Sequence, residues 1–143
     1  MNGSRFAVVA ARFNEPVVAK LVEGAEAFFA REGLDHELVW VPGAFELPLV
    51  AKTLADTGKY SAVVCLGAVI RGETAHFDFV ATEAATGIMK AGLKTGIPIL
   101  FGVLTTDTIE QAMDRAGGRH GNKGWDSAAA AVEMADVLKA AAL

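Results

Sequence analysis

The sequence contains a single cysteine, Cys65. No internal disulfide can therefore staple the chain, and a lone thiol suits a reducing compartment. Charge is sparse as well. Only 21% of residues are charged against 52% hydrophobic, and the formal net charge is −4. That balance argues against a nucleic-acid or membrane-surface binder. Long apolar runs are missing: the first, Phe6 to Ala11, stops at Arg12 and is too short for a signal peptide or a membrane span. The usual metal signatures are absent too, with no cysteine pair, no His-x-x-x-His, and three histidines (His36, His76, His120) far apart. Nucleotide fingerprints are equally lacking. "GGRHGNKG" (Gly117–Gly124) does not have P-loop spacing, and no G-x-G-x-x-G follows the first apolar run. These exclusions leave a cytoplasmic protein with no metal, no nucleic acid and no membrane among its expected partners.

Its 143 residues suit one domain, and a single domain over residues 1–143 is expected. So short and apolar a chain would show much greasy surface as a lone globule, so association with further copies is expected. The hydrophobic pattern alternates between two periods. "RFAVVAA" (Arg5–Ala11), "HELVWV" (His36–Val41), "SAVVCLGAVI" (Ser61–Ile70) and "IPILFGVLT" (Ile97–Thr105) read as β-prone runs, the first apolar enough for burial on both faces and the third the most hydrophobic.

Helical spacing fills the intervals. Asn14 is placed to cap a helix with Pro16 in its first turn, Val17, Leu21, Ala25 and Phe28/Phe29 on one face, and Gly33 as its stop. A shorter helix is expected over Leu47–Asp56. The helix opening at His76 carries Phe77, Val80, Ala84, Ile88 and Leu93 along one face. Asp107 and Glu110 form a candidate capping box for a helix reaching Arg115. A glycine-rich turn over Gly117–Gly124 then leads to a last helix from Trp125 to Leu143. Strands alternating with helices imply a parallel sheet covered on both faces, because the crossovers are right-handed. The expected fold class is α/β: a single-domain three-layer sandwich with a four-stranded parallel sheet flanked by helices, in flavodoxin-like topology.

In such sheets ligands bind beyond the carboxyl ends of the strands. The residues there are Arg12, Phe13 and Asn14; then Gly43, Ala44, Phe45 and Glu46; then Arg71, Gly72, Glu73, Thr74 and His76; and finally Thr105, Thr106 and Asp107. "RGET" before a helix has the make-up of an anion cradle, and Arg115 is a candidate phosphate clamp, although a loop glycine beside ordinary caps reads the same way. His76 is either a surface cap or an acid–base group. Phe13 is either a hydrophobic staple or a platform for a planar ring. Phe101, on a strand, is by default a core residue. Lys123, among glycines, is either a solvated turn residue or a phosphate or carbonyl contact. Cys65 reads as packing, and Trp40 and Trp125 read as core or interface residues.

Five segments carry a resemblance that none would carry alone. "ARFN" (Ala11–Asn14), "VPGAFELP" (Val41–Pro48), "LGAVIRGETAHFDFV" (Leu66–Val80), "FGVLTTDTIEQA" (Phe101–Ala112) and "RAGGRHGNKGWDSA" (Arg115–Ala128) together resemble the lumazine synthase family, in order and over essentially the whole chain. The resemblance implies condensation of 5-amino-6-(ribitylamino)uracil with 3,4-dihydroxy-2-butanone 4-phosphate to 6,7-dimethyl-8-ribityllumazine, with phosphate and water released and no cofactor. It implies that Phe13 stacks on the pyrimidine, that Gly43, Ala44, Phe45 and Glu46 hold the ribityl chain, and that the backbone of Val69 and Ile70 meets the pyrimidine edge. Gly72, Glu73 and Thr74 then bind the phosphate together with Arg115, and His76 moves protons. Phe101 and Lys123 reach the site across a subunit boundary. Asp126, just after Lys123, is a candidate to orient or charge-stabilise His76 through space.

Family resemblance also implies a pentamer, with twelve pentamers in an icosahedral shell as the larger form, and riboflavin synthase as a partner or cargo. The short Gly117–Gly124 turn resembles the capsid-forming type. Against this, many members carry a leading segment that adds a strand to a neighbour's sheet, and here the first strand is expected almost at Met1, which weakens the expectation of a shell but not that of a pentamer. Two other classes compete with the enzyme: a lumazine- or flavin-binding protein without turnover, and a structural shell. Retention of His76, Arg115 and Lys123 favours the enzyme over the binder.

Overall fold

The computed structural model describes residues 5–142; the Met1–Ser4 start and the Leu143 end lie outside the described residues. Four parallel strands, β1 (Arg5–Ala11), β2 (Asp35–Val41), β3 (Ala62–Ile70) and β4 (Ile99–Thr106), form one sheet in the order β2-β1-β3-β4. Its order reverses between β1 and β3, the flavodoxin-like arrangement whose crevice falls at their carboxyl ends. The helices are α1 (Glu15–Glu32), α2 (Leu47–Asp56), α3 (His76–Thr95), α4 (Ile109–Asp114) and α5 (Lys123–Ala141). α1 and α5 cover one face of the sheet, α2 and α3 the other.

Side-chain alternation explains the three layers. Along β1, Phe6, Val8 and Ala10 enter the core beneath α1 and α5, whereas Ala7, Val9 and Ala11 enter the core beneath α2. Both sets are fully buried, which is why the run shows no polar alternation. The two faces are packed differently. The α1–α5 side is aromatic, with Phe6 stacked on Phe29 at 5.2 Å and Phe28 edge-on to Trp125 at 5.3 Å between ring centroids. Close approach there requires glycine. A Cβ on Gly124 would run into the Leu21 carbonyl of α1, and one on Gly102 of β4 would sit 2.7 Å from Ser127 Oγ of α5. Overpacking of this kind typically costs about 1–3 kcal/mol.

Several expectations change in detail. Asn14 holds the N-cap position of α1 but its side chain does not cap: it sits in the left-handed region (φ 63) and its Nδ2 donates to the Ala68 carbonyl of β3 at 2.7 Å. Asparagine tolerates that backbone better than most residues. The capping box of α4 is Thr108/Gln111, not Asp107/Glu110. Thr108 is extended, its Oγ1 accepts from the Gln111 N–H at 3.1 Å, and Gln111 Oε1 accepts from the Thr108 N–H at 3.3 Å. The Asp107 carboxylate is engaged by Arg71 instead.

Leu93 leaves the buried face of α3 and is 80% exposed, because five residues beyond Ile88 turns it well off the stripe. The glycine-rich turn is a small hairpin of β5 (Ala116–Gly118) and β6 (Gly121–Asn122). It leads into α5 at Lys123, two residues earlier than expected, because Asn122 Oδ1 accepts from the Gly124 and Trp125 N–H groups at 2.8 and 3.1 Å. Lys123 is therefore the first helical residue and not a turn residue.

Candidate functional site

Strand exits place most of the expected residues in two separate depressions. The larger, of about 690 Å³, lies where β1, β2 and β3 end. β1 delivers Phe13 and Asn14, and the backbone after β2 turns through a 3₁₀ segment at Ala44–Glu46 that brings Gly43, Ala44, Phe45 and Glu46 to the wall. β3 contributes Val69 and Ile70, the following loop Gly72 and Thr74, and the first turn of α3 His76. Phe13 is 72% exposed and Phe45 58%. Aromatic rings held out of the core at a cavity mouth are placed to stack on a planar ligand. Glu46 folds back over Gly43: its Oε1 lies 3.2 Å from where a Cβ at that glycine would be.

Other parts of the wall were not singled out from the sequence. Pro42, Ala68, Phe77, Phe79 and Val80 line it as well. The helical stripe of Phe77 and Val80 pointed them inward, but nothing in the pattern distinguished core from cavity wall. Asn14 ties the β1 exit to β3 through Ala68, so the two strands at the crevice are locked at its floor. Among the described residues lining this depression there is no lysine or arginine.

The cations stand elsewhere. Arg115, His120, Lys123 and Asp126 line a second depression of about 320 Å³ beside the end of β4, with Val103 to Thr106. β4 is one of the sheet's two edge strands, the one at the end opposite β2. Its position there, with α4 and the hairpin following, carries Arg115 and Lys123 away from the β1–β3 crevice. Arg115 Nη1 donates to the Gln111 carbonyl at 3.0 Å, and the Lys123 N–H donates to the Arg115 carbonyl at 2.8 Å, so the two are held side by side. His120 is an addition that its separation from the other histidines had hidden. Phe101 lines neither depression; it lies on the β4 edge, 37% exposed, beside Cys65 in register. Glu73 is exposed in the loop but off the wall of the first depression.

Asp126 and His76 therefore line different depressions of one chain. The His76 backbone N–H donates to Thr74 Oγ1 at 3.3 Å. His36 has a packing role: its Nε2 is 2.8 Å from Glu26 Oε2 and its ring stacks on Phe29 at 5.4 Å. Just past β3, Arg71 Nε donates to Asp107 Oδ1 at 2.9 Å, and this carboxylate raises the guanidinium pKa further. Burial pushes the Cys65 thiol up to about 12, so it is inert packing in the core. At the opposite end of the sheet, the Tyr60 hydroxyl donates to Glu37 Oε2 at 2.8 Å, which together with burial raises its pKa.

A 2-1-3-4 parallel sheet with an apolar, aromatic-mouthed cleft at its switch point defines a small-molecule site of the flavodoxin-like α/β class. Comparison with a de novo designed Rossmann fold protein gives a TM-score of 0.41 at 17% identity, covering 77% of this chain and 90% of that one. The family model described as 6,7-dimethyl-8-ribityllumazine synthase matches residues 3–139. The chain belongs to that family, an enzyme family of riboflavin biosynthesis.

Proposed function

We propose that this chain, as a single domain, condenses 5-amino-6-(D-ribitylamino)uracil with 3,4-dihydroxy-2-butanone 4-phosphate to 6,7-dimethyl-8-ribityllumazine, releasing phosphate and water. The observation that carries the reading is the division of labour between the two depressions. The first offers rings for a planar heterocycle, Glu46 and the Gly43 backbone for a polyol, and His76 beside the Gly72–Thr74 backbone. A phosphate needs cations, and Arg115 and Lys123 stand in the second depression at the sheet edge. A site completed by Arg115, Lys123 and Phe101 of an adjacent copy resolves this, and it brings Asp126 toward His76 in the same move. Association is further supported by exposed apolar side chains on α2 and α3, among them Leu49, Phe79, Met89 and Leu93. The assembly proposed is a homo-pentamer acting in the cytoplasm. Twelve pentamers in a shell, with riboflavin synthase as partner or cargo, is the larger form of the same proposal.

The chemistry asks mainly for positioning. The aromatic amine attacks the ketone, water leaves to form an imine, phosphate is expelled and the ring closes. Amine and ketone react intrinsically, so holding them in one geometry supplies most of the acceleration. Phe13 stacks the pyrimidine, the Val69 and Ile70 backbone meets its edge, and the phosphate seat anchors the second substrate. His76 transfers protons, a contribution of about 10²–10⁴-fold at most.

The test is to mix protein with the two substrates and follow lumazine formation against the uncatalysed rate. Acceleration over background is expected. Tight lumazine binding with no acceleration would move the assignment to a binding protein.

A further inference from the structure

The loop that presents Gly72, Thr74 and His76 has little to shape it from within. Arg71 to His76 are all exposed. The hydrogen bond inside it, from the His76 N–H to Thr74 Oγ1, is long at 3.3 Å. A Cβ at Gly72 would meet nothing within 4 Å, so no neighbouring wall moulds the turn. The shape of such a segment is set at its ends, and one residue holds both. The Arg71 N–H donates to the Thr106 carbonyl at 2.9 Å, extending the β3–β4 ladder past the strand. Its guanidinium bonds Asp107 at 2.9 Å, lies 4.6 Å from the Phe77 ring centroid and 3.8 Å from Asp78 Oδ1. The same planar group thus touches the segment just past β4 and the first turn of α3, on either side of residues 72–75.

We propose that Arg71 is a positioning residue: with Asp107 and Phe77 it latches the Gly72–Thr74 backbone in the shape that receives the substrate's phosphate. The identity of that anion rests on the proposed function. Neither Arg71 nor Asp107 lines the depression, so the pair acts through the loop and not by contact. Guanidinium geometry is what the latch requires, since it bonds Asp107 along its edge while its face covers Phe77; an ammonium cannot do both. Each contact is exposed and individually weak, so the latch tunes the seat and does not decide folding.

Asp107→Asn, Arg71→Met and Arg71→Lys, together with the Arg71→Met/Asp107→Asn double variant, test this in the assembled protein. Three readouts apply: amide hydrogen exchange of residues 72–76, titration with inorganic phosphate, and steady-state kinetics in each substrate. Asp107→Asn and Arg71→Met are expected to speed exchange in the loop, and to weaken phosphate binding and raise the KM for the butanone phosphate by about three- to fivefold. The KM for the ribitylaminouracil and the saturated kcat stay within about twofold. The double variant is no worse than either single change, and Arg71→Lys recovers part of the loss. Unchanged exchange and phosphate binding in Asp107→Asn overturns the latch, as does a double variant whose losses add, or an equal rise in both KM values. A wild type that binds phosphate without turnover would sink the enzymatic reading instead, leaving the latch to be decided by exchange and phosphate binding alone.

Discussion

The two depressions at the carboxyl edge of the sheet have opposite chemistry. The one at the β1–β3 switch point is walled by Phe13, Phe45, Val69, Ile70, Phe77, Phe79 and Val80, with His76 at its rim. The one beside β4 is walled by Arg115, His120, Lys123 and Asp126. Hydrophobic walls with a few polar groups orient a planar ligand; paired cations neutralise and clamp an anion. For the condensation proposed above, which joins a heterocycle to a phosphate ester, each surface alone would be an incomplete site. The difference teaches why the function proposed above draws on two chains, with the depression beside β4 of one copy completing the cleft of another.

The sharpest way to break that comparison is to disable the two depressions in different chains. Arg115→Ala removes the clamp from the cationic side and is expected to lower activity at low butanone phosphate by about 10²–10³-fold. Phe13→Ala, on the apolar side, is expected to cost about tenfold. Co-assembling the two variants places intact halves opposite one another at some boundaries. Recovery of activity above either variant alone, measured after joint refolding, is the expected result. No recovery would mean that both depressions serve the same chain.

An effect between those of Arg115 and Phe13 concerns His76. Its replacement by alanine is expected to slow turnover by about 10²-fold with little change in either KM. If Asp126 orients it across a boundary, Asp126→Ala reproduces a part of that loss. Both variants turning over like wild type would remove the pairing.

The smallest effect lies in the core, far from both depressions. Cys65 is buried and its thiol is pushed up to about 12 from 9.0. An acid whose folded pKa lies above its unfolded value stabilises the fold below the unfolded pKa and loses that contribution as pH rises toward the folded one. Unfolding midpoints should therefore fall between roughly pH 9 and 12, less steeply in Cys65→Ala than in wild type. Urea melts across that range check it, and an identical slope in the two proteins would contradict the burial argument.

Much of the fold was legible in one dimension. The β1 and α2 bounds matched, the other long elements shifted by one or two residues, and the buried face of α1 held from Val17 to Phe29. These are local matters, decided by period and by Pro and Gly punctuation. The misses share a cause. Asn14 was free to cap its own helix, but a strand 54 residues away offered a carbonyl. Asp107 was chemically fit to cap α4, yet Arg71, 36 residues away, claimed its carboxylate and left the cap to Thr108. A short polar side chain has several partners of similar worth, and the choice among them is made by what the fold brings near.

The candidate site divides the same way. Its residue types were all visible, because the exits of parallel strands can be read from where apolar runs end. That Phe13, Glu46, Thr74 and His76 share one cleft while Arg115, Lys123 and Asp126 share another was not visible. Chain order lists every exit alike, whereas the sheet order β2-β1-β3-β4 sets three exits side by side and leaves the last one at an edge. Sequence periodicity decides which residues reach the carboxyl end of the sheet, since side-chain direction follows from the backbone repeat. Only strand pairing in space decides which of them face one ligand, because neighbourhood in a parallel sheet is set by crossovers and not by distance along the chain.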